Sequence, residues 1–179
     1  MRRFALVLAL STLAGTALAA PSSAPVPIGP PHADIVGADG KSVGTATFFD
    51  GPTGVLVSIE VKGLPPGWHG MHFHAVGDCS DAGFQKSGAH LNHATAKKPH
   101  GLMLEGGPDF GDLPNLWVAA DGAGKAQVFS TLVSWKGAGG RPALSDADGS
   151  ALVIHASPDD QITQPIGGAG ARIACAVVK

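Results

Sequence analysis

The run Gly67-Trp68-His69-Gly70-Met71-His72-Phe73-His74 places three histidines within six residues. The last two are spaced i, i+2. On a β-strand, side chains i and i+2 point to the same face. His72 and His74 can therefore aim two imidazoles at one point, which is half of a metal site held on a rigid element. The strand before it is Val55-Leu56-Val57-Ser58-Ile59-Glu60-Val61, where Val55, Val57, Ile59 and Val61 form one apolar face. Gly63-Leu64-Pro65-Pro66-Gly67 breaks the chain between the two.

Further strands are expected on both sides, at Ala33–Ala38, Val43–Phe49, Asn115–Ala120, Ala126–Val133, Ser150–His155 and Arg172–Val178. Turn signals such as Asp39-Gly40, Asp50-Gly51 and Asp121-Gly122 separate several of them. No long segment has a 3.6-residue period. The 26 glycines and 14 prolines fit short strands joined by turns. The expectation is an all-β domain of about eight strands. Residues 75–113 have no convincing periodicity, and residues 157–169 form a second long loop. A structureless stretch of that length inside a compact domain implies function.

Residues 1–20 read as a signal peptide. Arg2 and Arg3 make a basic region, Phe4 to Leu18 an apolar one, and Ala17-Leu18-Ala19 a cleavage signal. Residues 21–31, rich in proline and serine, read as a flexible leader. The domain then covers residues 32–179, enough for one good core. The expected location is outside the cytoplasm, in a bacterium the periplasm. Nothing after the leader is long and apolar enough to span a membrane. Losing Arg2 and Arg3 leaves ten basic against fourteen acidic residues. A nucleic-acid partner is excluded, because no basic stripe exists. The only cysteines are Cys79 and Cys175. In an exported protein they are most simply one disulfide. It would close a loop of about 97 residues, worth roughly 4–5 kcal/mol in the chain-entropy model.

Six of the eight histidines fall between residues 69 and 100. That concentration, with His72, His74 and His155 in strand-like apolar sequence, reads as a site built on a sheet and completed by a loop.

Several motifs together carry a family resemblance. They are G-x-H-G-x-H-x-H at 67–74, Gly88-Ala89-His90, Gly111-Asp112-Leu113-Pro114, Leu152-Val153-Ile154-His155 and Gly168-Ala169-Gly170-Ala171-Arg172-Ile173-Ala174-Cys175. Their order and spacing resemble those of the copper/zinc superoxide dismutases, of the bacterial exported type, from about residue 33 to the end of the chain. The resemblance implies an eight-stranded Greek-key β-barrel or sandwich of immunoglobulin-like kind with two long functional loops. It implies one copper per subunit on His72, His74, His90 and His155, and one zinc on His90, His100 and Asp112. His90 would be the shared imidazolate and would move a proton. Arg172 would attract and orient the anion. Cys79 and Cys175 match the family's disulfide. Asp159 matches a carboxylate that links a copper histidine to a zinc histidine and fixes ring tautomers. His69 matches a structural position bonded to backbone. The implied activity is dismutation of superoxide to O₂ and H₂O₂, protecting exported or envelope components, by a monomer or a homodimer.

The chain departs from the pattern at the zinc. The family usually has a third zinc histidine three residues before the aspartate, and here Asp109 stands there. Asp can ligate zinc; otherwise Asp109 faces solvent. His93 occupies a place where proline is common, as a substitute ligand or a solvated loop residue. His32 reads as solvated. The second loop lacks the Lys and Glu that some relatives use to steer substrate, which leaves Lys86, Lys97 and Lys98 as candidates. Two other function classes are a copper or zinc buffer and a zinc hydrolase. A buffer needs neither an anion-guiding arginine nor a shared imidazolate. A hydrolase would want a general base in an open cleft, and Asp159 is better explained as the linking carboxylate.

Overall fold

The computed structural model describes residues 30–179. The expected signal peptide and residues 21–29 of the leader lie outside the described residues. The leader's last residue, Pro31, accepts a hydrogen bond from the Phe48 N–H at 2.8 Å, so ordered pairing begins one residue before the expected domain start.

Nine strands follow in chain order: β1 His32–Gly37, β2 Ser42–Gly51, β3 Gly54–Lys62, β4 Gly67–His69, β5 Met71–His74, β6 Leu116–Val118, β7 Ala123–Ser130, β8 Ser150–His155 and β9 Arg172–Val178. All are antiparallel, in the order β4-β6-β7-β3-β2-β1-β9-β8-β5. The two ends of that order, β4 and β5, are joined through Gly70 alone. The strand expected at the first histidine run is therefore two strands. His69 pairs with Leu116 on one edge, and His72 pairs with Val153 on the other. The sheet curls until a single stretch of chain serves both edges, leaving a nearly closed barrel. This is why nine strands are found where eight were expected.

A second difference is at β7, which starts three residues earlier than expected. Asp121-Gly122 reads as a turn, but the strand resumes directly after it, and Ala123–Ser130 pairs with β3 from Lys62 to Val55. Tertiary pairing outweighs the weak strand propensity of glycine.

The barrel is filled by alternate side chains. Ile35, Phe48, Val57, Ile59, Phe73, Leu116, Leu152 and Ile154 are all fully buried. β8 is buried on both faces. Leu152 and Ile154 face the barrel, while Ala151 and Val153 pack with Cys175 and Phe84 in a second small cluster. Phe84 comes from the long loop after β5, so that loop covers the outside of β8 and β9. The Cys79–Cys175 disulfide fastens it there, with a Cα–Cα distance of 5.8 Å.

The 75–115 loop also borrows the barrel's backbone. The Phe73 N–H donates to Gly111 O at 2.8 Å, and the Leu91 N–H donates to Phe73 O at 2.8 Å. Both neighbours of Phe73 along β5 are thereby matched: His72 lies opposite Asp112, and His74 opposite His90. Gly111 is required for this approach, because a Cβ there would collide with the Phe73 carbonyl.

Candidate metal centre

The loop pairing sets His90 and Asp112 beside the histidines of β5, and the β8–β9 pairing sets His155 and Arg172 opposite one another. Two groups of convergent donors result among the described residues. One is His72, His74, His90 and His155; the other is His72, His90, His100 and Asp112. In each, one donor atom per residue lies within 4.8 Å of all the others.

Each histidine of the first group has one ring nitrogen engaged and one bare. His74 Nδ1 donates to Gly88 O at 2.9 Å, and His155 Nδ1 donates to Gly170 O at 3.0 Å. His72 Nε2 donates to Asp159 Oδ2 at 2.8 Å. His90 Nδ1 lies 3.1 Å from Asp109 Oδ2. The opposite nitrogens, His72 Nδ1, His74 Nε2, His90 Nε2 and His155 Nε2, are buried with no hydrogen-bond partner. A buried polar atom left bare costs on the order of 1–3 kcal/mol. Four such lone pairs on one group of donors fit a soft-to-borderline metal ion that takes imidazole, which is the chemistry of copper.

Burial also keeps the rings of His72, His74 and His155 neutral. It pushes the pKa of His72 and of His155 down to about 4 and that of His74 to about 2. Asp159 draws His72 the other way without prevailing. Their lone pairs are free for a metal at neutral pH.

The second group has the opposite electrostatics. His100 Nδ1 is 2.5 Å from Asp112 Oδ1, and His100 Nε2 is 3.1 Å from Asp159 Oδ1. Burial opposes a charge on His100, yet the two carboxylates prevail and raise its pKa to about 10. Asp159 is held well below the usual carboxylate range. Burial works against its charge, but the bonds to His100 and His72 outweigh it. A hard oxygen donor beside two imidazoles suits zinc.

Most of the expected site residues converge here. Asp159 reaches a residue of each group with its two oxygens, as the resemblance implied. His69 bonds only to backbone oxygens, with Nδ1 at 2.7 Å from His155 O and Nε2 at 2.7 Å from Pro65 O. Arg172 sends Nη1 to Phe84 O at 2.6 Å and to Ser87 Oγ at 3.0 Å, and Nη2 to Gly88 O at 2.8 Å. It lines a cavity of about 450 Å³ with His74, His90, His100, His155, Lys97 and Lys98. Asp109 is 2% exposed, so it does not face solvent. It stands outside the tight second group and touches two of its members, His90 through its carboxylate and Asp112 through its N–H. His93 belongs to neither group; its ring packs tilted against Phe110 with centroids 4.0 Å apart. His32 is exposed on β1. Sequence reasoning missed the carbonyls of Gly88 and Gly170. Backbone acceptors have no side-chain signature, and only the glycines beside His90 and Arg172 hinted at close approach.

The family model for copper/zinc superoxide dismutase (SODC) matches residues 42–178. The chain belongs to the copper/zinc superoxide dismutase family. A "Superoxide dismutase [Cu-Zn]" of Caulobacter vibrioides is 58% identical over 141 residues, covering 79% of this chain and 80% of that protein. "Superoxide dismutase [Cu-Zn] 1" of Aquifex aeolicus is 40% identical over 149 residues, covering 83% and 86%. Among solved structures, a SOD-like protein from Bacillus subtilis superposes with a TM-score of 0.77 at 34% identity, over 83% of this chain and 97% of that one. The Cu/Zn superoxide dismutase from Brucella abortus gives 0.65 at 27% identity, over 83% and 99%. The fold likeness thus covers most of this copper/zinc superoxide dismutase family member.

Proposed function

We propose that this protein dismutes superoxide, with copper held by His72, His74, His90 and His155 and zinc by His90, His100 and Asp112, Asp109 standing as fourth ligand. The observation that carries the reading is the set of four bare imidazole nitrogens beside a guanidinium that lines the same cavity. When bound, copper supplies one-electron exchange with superoxide in both directions, and zinc supplies fixed positive charge on the shared ring.

The protein's residues do the rest. Arg172, always protonated, draws the anion into the cavity and orients it. Its fork is held by three acceptors of the 84–88 segment, so its position is fixed before substrate arrives. His90 Nδ1 faces the second group, which leaves Nε2 as the place where a proton is taken up and given to the reduced product. Two superoxide anions and two protons give O₂ and H₂O₂; the second proton enters from water through the open cavity. His74 and His155 keep their tautomers through Gly88 O and Gly170 O, and His72 through Asp159.

A metal buffer would need no oriented guanidinium, and Arg172 is oriented. The experiment is superoxide-dependent turnover of the metal-loaded protein, with cyanide inhibition and the copper-to-zinc ratio measured on the same sample. Bound copper without turnover sinks the proposal. The basic, apolar and A-x-A order of residues 1–20 supports export, with the periplasm as destination. The Cys79–Cys175 bridge supports an oxidising compartment. No helix among the described residues is long and apolar enough to cross a membrane.

A further inference from the structure

Two loops without regular strands meet over the metal centre, residues 75–115 and 156–171. Two primary amides join them in a reciprocal way. The His100 N–H donates to Gln164 Oε1 at 3.0 Å, and Gln164 Nε2 donates back to His100 O at 2.6 Å. The Asp159 N–H donates to Asn115 Oδ1 at 2.9 Å, and Asn115 Nδ2 donates back to Asp159 O at 2.8 Å. Each side-chain amide thus satisfies both backbone groups of one residue, as a neighbouring strand would. The second loop's Gln164 holds the first loop's His100, and the first loop's Asn115 holds the second loop's Asp159. The two held residues touch each other, His100 Nε2 to Asp159 Oδ1.

A side-chain primary amide supplies both the donor and the acceptor that this pairing needs. A carboxylate at 164 keeps the acceptor for the His100 N–H but sets a negative oxygen against the His100 carbonyl. Alanine leaves both backbone groups to water. Gln164 is exposed on its outer side, so it contributes little to core burial.

We infer that Gln164 and Asn115 are positioning residues that form a reciprocal latch, fixing His100 and Asp159 and joining zinc retention to closure of the 156–171 loop. This rests on the reading of His100 as a zinc ligand. The latch makes the two loops close together: whatever holds His100 in place also holds the loop that walls one side of the cavity.

The test compares wild type with Gln164→Ala, Gln164→Glu and Asn115→Ala. Zinc affinity is measured by competition with a chromogenic chelator. Hydrogen exchange is followed on the metal-free proteins, and visible spectra are taken with cobalt in the zinc position. Both alanine variants should hold zinc about 10- to 100-fold more weakly, with Gln164→Glu in between. Gln164→Ala should speed exchange at the His100 amide, and Asn115→Ala at the Asp159 amide, while the barrel strands stay protected. The cobalt spectrum should change in both. Unchanged zinc affinity in folded alanine variants overturns the latch. So does faster exchange spread through the whole barrel with an unchanged cobalt spectrum. If wild type binds no zinc at all, the functional reading fails in the wild-type arm alone. The metal-free exchange data then still decide whether the amides hold the two loops.

Discussion

Asp109 Oδ2 lies 3.1 Å from His90 Nδ1, on the side of the ring turned away from the four bare nitrogens. Its other oxygen accepts the Gly111 N–H at 2.8 Å, and its own N–H donates to Asp112 Oδ2 at 2.9 Å. The carboxylate is thus fixed at both ends and aimed at the His90 ring. Asp109→Ala should weaken zinc about 10- to 100-fold, on the scale seen when partners of a metal-bound ring are lost. Copper on the other donors should remain. Metal analysis after dialysis against graded chelator reads both, and wild-type zinc content in the variant sinks ligation by Asp109.

Arg172 and His74 share one acceptor, the carbonyl of Gly88, at 2.8 and 2.9 Å. The guanidinium of Arg172 and the ring of His74 are therefore positioned by the same backbone atom. Arg172→Lys keeps the charge but cannot reproduce a fork to three acceptors. Its kcat/KM should fall about tenfold, and that of Arg172→Ala further, within the 10- to 1000-fold range typical of electrostatic guidance. The copper spectrum should also shift in both, because Gly88 loses a donor. Full activity in Arg172→Lys would show that charge alone suffices.

The strands were legible where apolar residues alternate, as in Val55–Val61, or run continuously, as in Ser150–His155, and both fell close to their observed bounds. The break at Gly70 was not, because a strand shared between two sheet edges looks like one strand in sequence. The pairing of His72 with His74 was legible for a related reason: i, i+2 spacing on β5 is a local signal. His100 and Asp159 are brought together by loops with no period, so only family resemblance placed them. The acceptors of ring N–H groups, and the backbone bonds that seat residues 75–115 against β5, leave no trace in side-chain identity.

Lys97 and Lys98 line the cavity with Arg172, whereas Lys86 does not and donates to Ser80 Oγ at 3.0 Å instead. Of the three lysines singled out from sequence, two are thus placed to steer an anion. Lys97→Gln and Lys98→Gln should each lower the rate constant a few-fold at low ionic strength and flatten its decline with added salt. Lys86→Gln should leave both unchanged. Stopped-flow decay of superoxide across a salt series distinguishes them, and a salt profile unaltered by the Lys97 and Lys98 changes would remove these lysines from the path.

The two halves of the centre give the metal-free protein opposite pH limbs. His100 has a folded pKa of about 10 against an ordinary 6.5, so its contribution is complete below 6.5 and is lost as pH rises toward 10. His72 and His155 have folded values of about 4, so the unfolded chain takes up protons first. Their contribution is complete above 6.5 and is lost as pH falls toward 4. Each group carries ~1.4 kcal/mol for every pH unit between its folded and unfolded values. Thermal stability of the metal-free protein should therefore peak near pH 6.5. Zinc replaces the proton on His100, so loading should remove the alkaline limb and release about one proton at pH 8. Melting curves from pH 4 to 10, with and without zinc, and proton release in two buffers of different ionisation enthalpy check this. A metal-free stability that climbs steadily from pH 5 to 9 would contradict the charged state assigned to His100.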